Sequence, residues 1–344
     1  MPRLPLTIAL SVGLSATLIS VGCQQQPPET SATYLAFGTR VDITIRNGNR
    51  TTRDNAAAEL GRQFQRQHRQ WHPWQAGELM TLNRALREGG WTTTTPELLA
   101  MLRASQRFER DSLGHFNPAI GELVSLWGFH TSEFPITAPP PAPEAIRRIL
   151  DHRPSSPDIE LDNGRLRTTN RGIRLDFSGL AKGHALALAC ERLTELELDQ
   201  ALINAGGDVL ACGADPDRPW RVAITDIEGE LLATIELSSA QAVFSSGNRY
   251  RYLQFDGQRH AHILDPWRGR PVDHVAQATV IDEDPVRADA AATALVVAGP
   301  DGWQSVARAM GVTRVIMVFA DGQVAVSDGI DAEGAVSVRI LRSI

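Results

Sequence analysis

Residues 286–294, Val-Arg-Ala-Asp-Ala-Ala-Ala-Thr-Ala, form an alanine-rich run without glycine or proline near the C-terminal end of the sequence. Such a run favours an α-helix, in which residues four positions apart share one face. Asp289 and Thr293 have this spacing. A carboxylate and a hydroxyl one turn apart suit a hard cation such as Mg²⁺, which takes oxygen ligands and often shares itself with substrate phosphates. The run therefore predicts a helix and a candidate metal site; a solvated polar face is the alternative.

The first 22 residues read as an export signal, because one arginine precedes an apolar stretch that ends at Cys23. The five residues that end in Cys23 resemble a bacterial lipobox, in which the cysteine becomes the lipidated first residue, although Ser20 stands where leucine is preferred. We therefore expect a signal peptide at 1–22 and a lipidated, polar tether at 23–33. The protein would be exported and anchored through Cys23 to the periplasmic face of a bacterial membrane. An ordinary cleaved signal with an incidental cysteine is the alternative.

The remaining residues have the composition of a globular protein, and the net charge of −6 without lysine or arginine clusters argues against nucleic acid as a partner. No later stretch is apolar over the roughly 18 residues that a membrane-spanning helix needs. Beyond Cys23 only Cys190 and Cys212 remain, too few for a disulfide framework or a cysteine zinc site. We expect two buried thiols, because Cys190 falls in a helical run; pairing in an oxidising compartment is the alternative.

Hydrophobic periodicity indicates a mixture of helices and strands without a repeat of fixed period. The predicted helices span 54–69, 96–113, 144–151 and 180–196. The predicted strands span 33–46, 173–177, 201–203, 220–224, 233–237, 278–281, 315–319, 323–326 and 336–341. A proline-rich surface connection is expected at 137–143. The predicted fold class is α+β.

Three glycine-bearing turns are predicted directly after strands, at 178–183, 204–208 and 245–248. Glycine lets bare backbone N–H groups approach an anionic ligand, and the first of these turns also opens a helix, whose N-terminus attracts phosphate. Lys182 would add a point charge there. None of the three has the glycine spacing of a Walker loop or a dinucleotide fingerprint. Together with the candidate metal site they point to a ligand that carries phosphate; ordinary tight turns are the alternative.

Two further features could contribute to such a site. His262 lies in a strand-like stretch, titrates near neutral pH and could take a proton from an attacking hydroxyl, although a hydrogen-bonded surface histidine is the alternative. No cysteine or glutamate nearby completes a zinc site around it.

Trp74 lies in a loop-like stretch at 71–77, where its flat ring could stack on an aromatic ligand or pack in the core.

Taken together, these segments resemble the ApbE family, the FAD:protein FMN transferases. The collinear matches are 37–39 (Phe-Gly-Thr, where the family usually has Met-Gly-Thr), 78–83, 116–121, 126–129, 175–183 (Leu-Asp-Phe-Ser-Gly-Leu-Ala-Lys-Gly), 204–208, 246–247, 262–266 and 288–294. They cover nearly the whole chain after the tether, in the family's order. The resemblance implies one domain over 34–344, built from two intimately packed α/β lobes with an FAD cleft between them.

The resemblance also implies a Mg²⁺ site. Asp289, Thr293 and the backbone carbonyl of Gly179 would hold the metal. Some members have a further acid where this chain has Ala292, so more of the ligands here would be water or phosphate.

For FAD, the resemblance implies contacts at eight positions. These are Phe37, Trp74, His115, Phe116, Asn117, Asp176, Lys182 and Leu264. Trp74 replaces a frequent tyrosine and would stack on the isoalloxazine ring. Asn117 stands where aspartate is common, which keeps a hydrogen-bonding side chain but removes a charge.

By the same resemblance, a threonine or serine hydroxyl of an acceptor protein, deprotonated toward His262 as general base, would attack the FMN-side phosphorus of FAD, and AMP would leave. Mg²⁺ and Lys182 would supply much of the catalysis by positioning and charge neutralisation. The family's acceptors are flavin-carrying subunits of sodium-pumping quinone reductase and Rnf-type complexes, and related periplasmic reductases.

Two alternatives stay open. A periplasmic FAD pyrophosphatase would use water in place of the acceptor hydroxyl and give FMN and AMP. A flavin-binding lipoprotein would store or deliver FAD without turnover. The presence of metal ligands together with Lys182 and His262 speaks against the second.

Overall fold

The computed structural model describes residues 29–226, 228–237, 239–248, 251–331 and 336–340, with backbone only for residue 331 and the last range. The predicted signal peptide at 1–22, the lipidated Cys23 and most of the tether at 23–33 lie outside the described residues. Within the described residues, no helix combines the length and apolar character needed to cross a membrane.

Helices and strands are both present, as the predicted α+β class requires. The helices are α1 (Arg50–Gln70), α2 (Glu78–Glu88), α3 (Pro96–Asp111), α4 (Gly121–Leu126), α5 (Pro143–Leu150), α6 (Ala181–Glu195), α7 (Pro285–Ala309) and α8 (Asp328–Asp331), with a 3-10 turn at Ser156–Asp158. The strands are β1 (Thr30–Ala36), β2 (Thr39–Ile45), β3 (Thr92–Thr93), β4 (Glu160–Asp162), β5 (Arg165–Arg167), β6 (Ala201–Ala205), β7 (Asp208–Ala211), β8 (Trp220–Thr225), β9 (Leu231–Leu237), β10 (Gln241–Gly247), β11 (Tyr252–Phe255), β12 (Gln258–Ala261), β13 (Leu264–Asp265), β14 (Arg270–Pro271), β15 (Val275–Asp282), β16 (Arg314–Phe319), β17 (Val324–Val326) and β18 (Val336–Ile340). The predicted helices at 54–69, 96–113, 144–151 and 180–196 correspond to α1, α3, α5 and α6, and the run at 286–294 lies in α7.

An eight-stranded antiparallel sheet in the order β1-β2-β6-β7-β10-β15-β16-β17 forms the centre of the fold. Successive side chains along each strand point to opposite faces of the sheet, so they contribute to two different cores. Phe244 and Val280 pack with the helices on one face, whereas Val243 and Ile281 pack against the small sheet β18-β9-β8 on the other. A third apolar cluster around Trp127 joins α4 and α5. The sheet thus carries helices on one side and a second sheet on the other.

The predicted single strand at 33–46 is wrong, because the chain reverses at Phe37-Gly38 to form the hairpin β1–β2. Both turn residues have positive φ, 54° and 72°, which matches the tight turns that join twisted antiparallel strands. The alternation that the sequence shows is real, but it belongs to two strands. Phe37 therefore lies in the turn between β1 and β2 and is not paired in the sheet.

The predicted strand at 173–177 is also wrong. Only Arg174 forms a β-bridge, to Ile120. The backbone N–H groups of Arg174 and Asp176 donate to the carbonyl oxygens of Ala119 and Pro118, so a loop takes the place of a neighbouring strand. These backbone hydrogen bonds hold the segment against residues 118–119, but the segment is not part of a sheet.

The predicted turn at 204–208 is present between β6 and β7, where Gly206 and Gly207 have positive φ. The predicted turn at 245–248 is wrong, since Ser246 and Gly247 are paired with Ala278 and Gln277 at the end of β10. These residues expose polar groups at a strand end instead of in a turn.

Cys190 and Cys212 form a disulfide that joins α6 to the residue after β7. The expectation of two free buried thiols is wrong. The sequence could not show the pairing, because the two cysteines are brought within 5.2 Å (Cα–Cα) only when α6 packs beside the β6–β7 hairpin.

Candidate active site

One cavity of about 840 Å³ lies where the hairpin β1–β2, the loops around α1 and α4, and the helices α6 and α7 meet. It is lined by every residue that the sequence and the resemblance assign to ligand, metal or proton transfer, apart from the lipidation site. These are Phe37, Trp74, His115, Phe116, Asn117, Asp176, Gly179, Lys182, His262, Leu264, Asp289 and Thr293. The fold therefore collects residues that are far apart in the chain into one space; the role of each stays a prediction.

Asp289 and Thr293 line the cavity one turn apart on α7, as their spacing predicts. The buried Asp289 carboxylate accepts a hydrogen bond from the backbone N–H of Gly183 at 2.9 Å. Thr293 Oγ1 lies 3.0 Å from Ser246 Oγ, and a Cβ on Gly179 would lie 3.4 Å from Thr293 Oγ1. One carboxylate, two hydroxyls and the adjoining backbone are hard oxygen donors. This donor set fits Mg²⁺.

The donor set carries a single negative charge, that of Asp289, which is too little to hold a divalent cation without further ligands. Across the described residues, no group of three or more His, Cys, Asp and Glu side chains is arranged to hold a metal ion. Burial raises the pKa of Asp289, and the positive charge of Lys182 acts against that shift. A divalent cation would stabilise the ionised carboxylate, while water and ligand phosphate would have to complete its coordination, as is common for Mg²⁺.

Lys182 stands in the first turn of α6, at the edge of the cavity. Its Nζ contacts the carboxylate of Asp208, the buried first residue of β7, which also accepts the backbone N–H of Ser245 at 2.9 Å. Burial lowers the pKa of Lys182, and the charge of Asp289 opposes this. The ion pair fixes a cation in the first turn of α6, whose backbone N–H groups already donate within the protein, to Phe177, Asp289 and Leu180.

His262 lies in the cavity with its backbone N–H donating to the carbonyl oxygen of Arg251 at 3.2 Å. Burial, and then the positive charge of Arg251, lowers the pKa of His262 to about 3. Its Nδ1 is buried and has no hydrogen-bond partner among the described residues. The imidazole is therefore neutral near pH 7, the state that can accept a proton, and a bound polyanion would raise its basicity.

Asp176 is held by groups that the sequence did not indicate. His130 Nε2 lies 3.0 Å from Asp176 Oδ2, and the backbone N–H of Ser178 donates to Asp176 Oδ1 at 2.9 Å. Burial raises the pKa of Asp176, but the hydrogen bonds from His130 and Ser178 outweigh it, and the net pKa is lowered. The His130 ring also stacks on Trp74 at 5.2 Å between centroids. Because His130 covers one face of Trp74, a ligand ring cannot stack on that face.

Asn117 uses its amide within the protein. Its Nδ2 donates to the carbonyl oxygen of Pro154 at 2.9 Å, and its Oδ1 accepts the backbone N–H of Ala119 at 2.8 Å. An ionised aspartate at this position could accept the second bond but not donate the first. The asparagine thus stabilises the loop that carries Phe116.

Several cavity residues had no role assigned to them from the sequence. His68, His130 and Arg251 lay outside the recognised segments, whereas His72, Asp208 and Ser246 lay inside them without a role; all six line the cavity. Arg251 adds a second cation, 2.9 Å from the position that a Cβ on Gly38 would occupy. Only the folded chain brings these residues together.

Comparison with known sequences gives one consistent result. The sequence model described as "ApbE family" matches residues 37–317. A Rhodobacter capsulatus protein named FAD:protein FMN transferase is 36% identical over 304 residues, which cover 86% of this chain and 57% of the relative. This chain thus spans less than two thirds of that relative's length. A Klebsiella pneumoniae protein of the same name is 26% identical, over 90% of this chain and 92% of the relative.

Solved structures agree in fold. The ApbE protein of Thermotoga maritima superposes with a TM-score of 0.80 and 28% identity, over 88% of this chain and 98% of that one. The apo form of the Pseudomonas stutzeri flavinyl transferase ApbE has a TM-score of 0.77 and 26% identity, over 88% and 96% of the two chains.

Proposed function

The chain belongs to the ApbE family, and on that premise we propose that it is an FAD:protein FMN transferase, which moves the FMN part of FAD to a threonine or serine hydroxyl of an acceptor flavoprotein and releases AMP. The observation that carries this proposal is the cavity of about 840 Å³. It brings together the Lys182 cation, the face of α7 that carries Asp289 and Thr293, and the neutral His262. That volume lies in the usual range of ligand pockets.

We further propose that Mg²⁺ is required. Asp289, Thr293 and the backbone at Gly179 would hold it, with Ser246 Oγ in reach of Thr293. When bound, the metal would act as a Lewis acid on the pyrophosphate and neutralise its charge.

The chain's own residues would supply the remaining steps. The acceptor hydroxyl oxygen attacks the FMN-side phosphorus, the bond from that phosphorus to the bridging oxygen breaks, and AMP leaves with that oxygen. Neutral His262 accepts the hydroxyl proton, and its low pKa rises once anionic phosphates lie beside it. Lys182, fixed by Asp208 at the N-terminus of α6, offsets the negative charge of the phosphates.

We make two further proposals, on the partners and on the location. We propose flavin-carrying subunits of quinone reductase or Rnf-type complexes as acceptors. Lipidation of Cys23 would keep the enzyme at the periplasmic face of the membrane, where such acceptor domains would meet it.

The test incubates the full chain in detergent with FAD, Mg²⁺ and a periplasmic acceptor domain, and weighs the acceptor by intact-mass spectrometry. A gain of one FMN that is lost in EDTA supports the transferase. FMN and AMP without a mass gain would favour an FAD pyrophosphatase, and flavin binding without turnover would leave the binding-only alternative.

The metal assignment is tested by Asp289→Asn. We expect this variant to stay folded and to lose Mg²⁺-dependent turnover, because the buried site loses its one carboxylate. Asp301→Asn, an exposed substitution on the same helix α7, is the matched control and should keep full activity. Full activity in Asp289→Asn would remove Asp289 from the metal site.

A further inference from the structure

Two histidines at the end of α1 line the cavity and have no part in the proposed reaction. His68 lies in the last turn of α1, and His72 follows four residues later, just past the helix end. Their ring centroids are 5.3 Å apart. Both are flanked by the aromatic residues that the resemblance assigns to FAD, so their protonation decides what this end of the cavity can bind.

In both histidines, Nδ1 accepts a hydrogen bond from the backbone. The N–H of Phe37 donates to His68 Nδ1 at 3.2 Å, and the N–H groups of Trp74 and Gln75 donate to His72 Nδ1 at 3.4 and 3.2 Å. A backbone N–H can only donate, so each Nδ1 must be unprotonated. In a neutral imidazole the proton is then on Nε2. Burial lowers the pKa of both histidines, which keeps them neutral near pH 7.

The Nε2 atoms of His68 and His72 have no hydrogen-bond partner among the described residues. Because both side chains line the cavity, each leaves one N–H donor for a ligand. The pair therefore offers two neutral donors side by side and no acceptor. Such donors can pair with carbonyl oxygens and ring nitrogens, while the cations Lys182 and Arg251, which make the stronger bonds to phosphate, line the same cavity.

The same bonds position the aromatic walls. His68 holds the backbone of Phe37 at the hairpin turn, where φ is positive, and His72 holds the loop that carries Trp74. The His72 and Trp74 rings also meet nearly at right angles, with an interplanar angle of 80° and 4.2 Å between centroids. A flat ring that enters the cavity beside Trp74 would thus lie near the two N–H groups.

We propose that His68 and His72 form a donor pair that binds the acceptor edge of a flat heteroaromatic ring, the pyrimidinedione edge of the isoalloxazine. This inference rests on the proposed function, because it takes the flavin as the ligand. It gives the two histidines a part in recognising the ring: each fixes one aromatic wall through Nδ1 and donates to the flavin through Nε2.

The test uses asparagine in place of each histidine. An asparagine Oδ1 can take the place of Nδ1 and keep the backbone hydrogen bonds, but no group then replaces Nε2–H. Binding of FAD and of riboflavin, which lacks phosphate and adenine, is measured on the full chain by flavin fluorescence and by the shift of the visible flavin absorption bands. His152→Asn, on an exposed histidine, is the matched control.

We expect His68→Asn and His72→Asn each to weaken both flavins by the same factor, about 3- to 10-fold, the usual loss for one neutral hydrogen bond. The band shift should also shrink, whereas His152→Asn should bind like the unsubstituted protein. His72→Gln, whose amide nitrogen can reach the position of Nε2, should regain part of the affinity.

Unchanged flavin affinity in both asparagine variants would overturn the proposal. So would a loss confined to FAD, because the donors would then meet phosphate or adenine instead of the flavin ring. If one asparagine variant does not fold, as judged by circular dichroism, the other decides between these results. Failure of the unsubstituted protein to bind either flavin would refute the proposed function itself, and is thus distinguishable from failure of the donor pair.

Discussion

Asn83 connects α2 to the segment that carries Asp176, and its replacement tests how the site is held. Asn83 is 6% exposed, its Nδ2 donates to the carbonyl oxygen of Leu175 at 2.9 Å, and its Oδ1 accepts the N–H of Leu175 at 2.7 Å. Leu175 is fully buried, so neither backbone group can turn to water. The Asn83 side chain thus pairs both backbone groups of Leu175, as a neighbouring strand would.

In Asn83→Ala, both backbone groups of Leu175 lose their partner. Each buried unpaired group costs about 1–3 kcal/mol. The better helix propensity of alanine in α2 offsets about 0.5 kcal/mol of this loss of stability. We therefore expect the free energy of unfolding to fall by about 2–5 kcal/mol. Asp176 should also lose its fixed place beside His130, so that flavin binding weakens in the fraction that stays folded.

Urea unfolding followed by circular dichroism measures the loss, and flavin fluorescence measures binding. The matched control is Asn55→Ala, the same substitution at an exposed position of α1, which should be neutral or slightly stabilising. If Asn83→Ala differs from this control by less than about 0.5 kcal/mol, the paired hydrogen bonds do not hold the segment as argued.

Two further predictions concern the helix contact and the buried histidine. In Gly183→Ala, the new Cβ would lie 2.3 Å from the Pro285 carbonyl oxygen, so α6 and α7 must separate; we expect a loss of about 1–3 kcal/mol in urea unfolding, against no loss for Gly302→Ala, where the nearest atom is 3.4 Å away. The folded-state pKa of His262 is lowered from 6.5 to about 3. As the pH falls from 6.5 toward 3, the unfolded chain therefore binds a proton on His262 that the folded chain does not bind. Stability should therefore drop by up to about 2 kcal/mol between pH 6.5 and 5, and less in His262→Asn; equal slopes would contradict the shift.

The disulfide and the Lys182–Asp208 ion pair join the same two elements. Cys190 is two turns beyond Lys182 on α6, and Cys212 follows the strand that begins with Asp208. The covalent bond therefore keeps α6 against β7 along the length over which the ion pair must form. The N-terminus of α6 is in turn bonded to Asp289 on α7 through the N–H of Gly183.

The helical part of the site could be read from the sequence because the helix is a local structure. The spacing of Asp289 and Thr293 fixes their common face once the run is helical, and Lys182 follows a glycine turn at the start of a helix. Both depend on residues within one or two turns. The alternating residues of β2 could likewise be recognised, although not the reversal at Phe37 that separates β2 from β1.

The sequence by itself thus determined α1, α3, α5, α6 and the start of α7, and several of the strands, because periodicity and capping act over a few residues. Tertiary structure alone decided which groups pair: Asp176 with His130, Cys190 with Cys212, and His68 with the Phe37 backbone. Each of these contacts joins residues far apart in the chain. Such contacts form only when distant elements pack, and no local pattern records them, so the protonation and the hydrogen-bonding state of the site are properties of the fold.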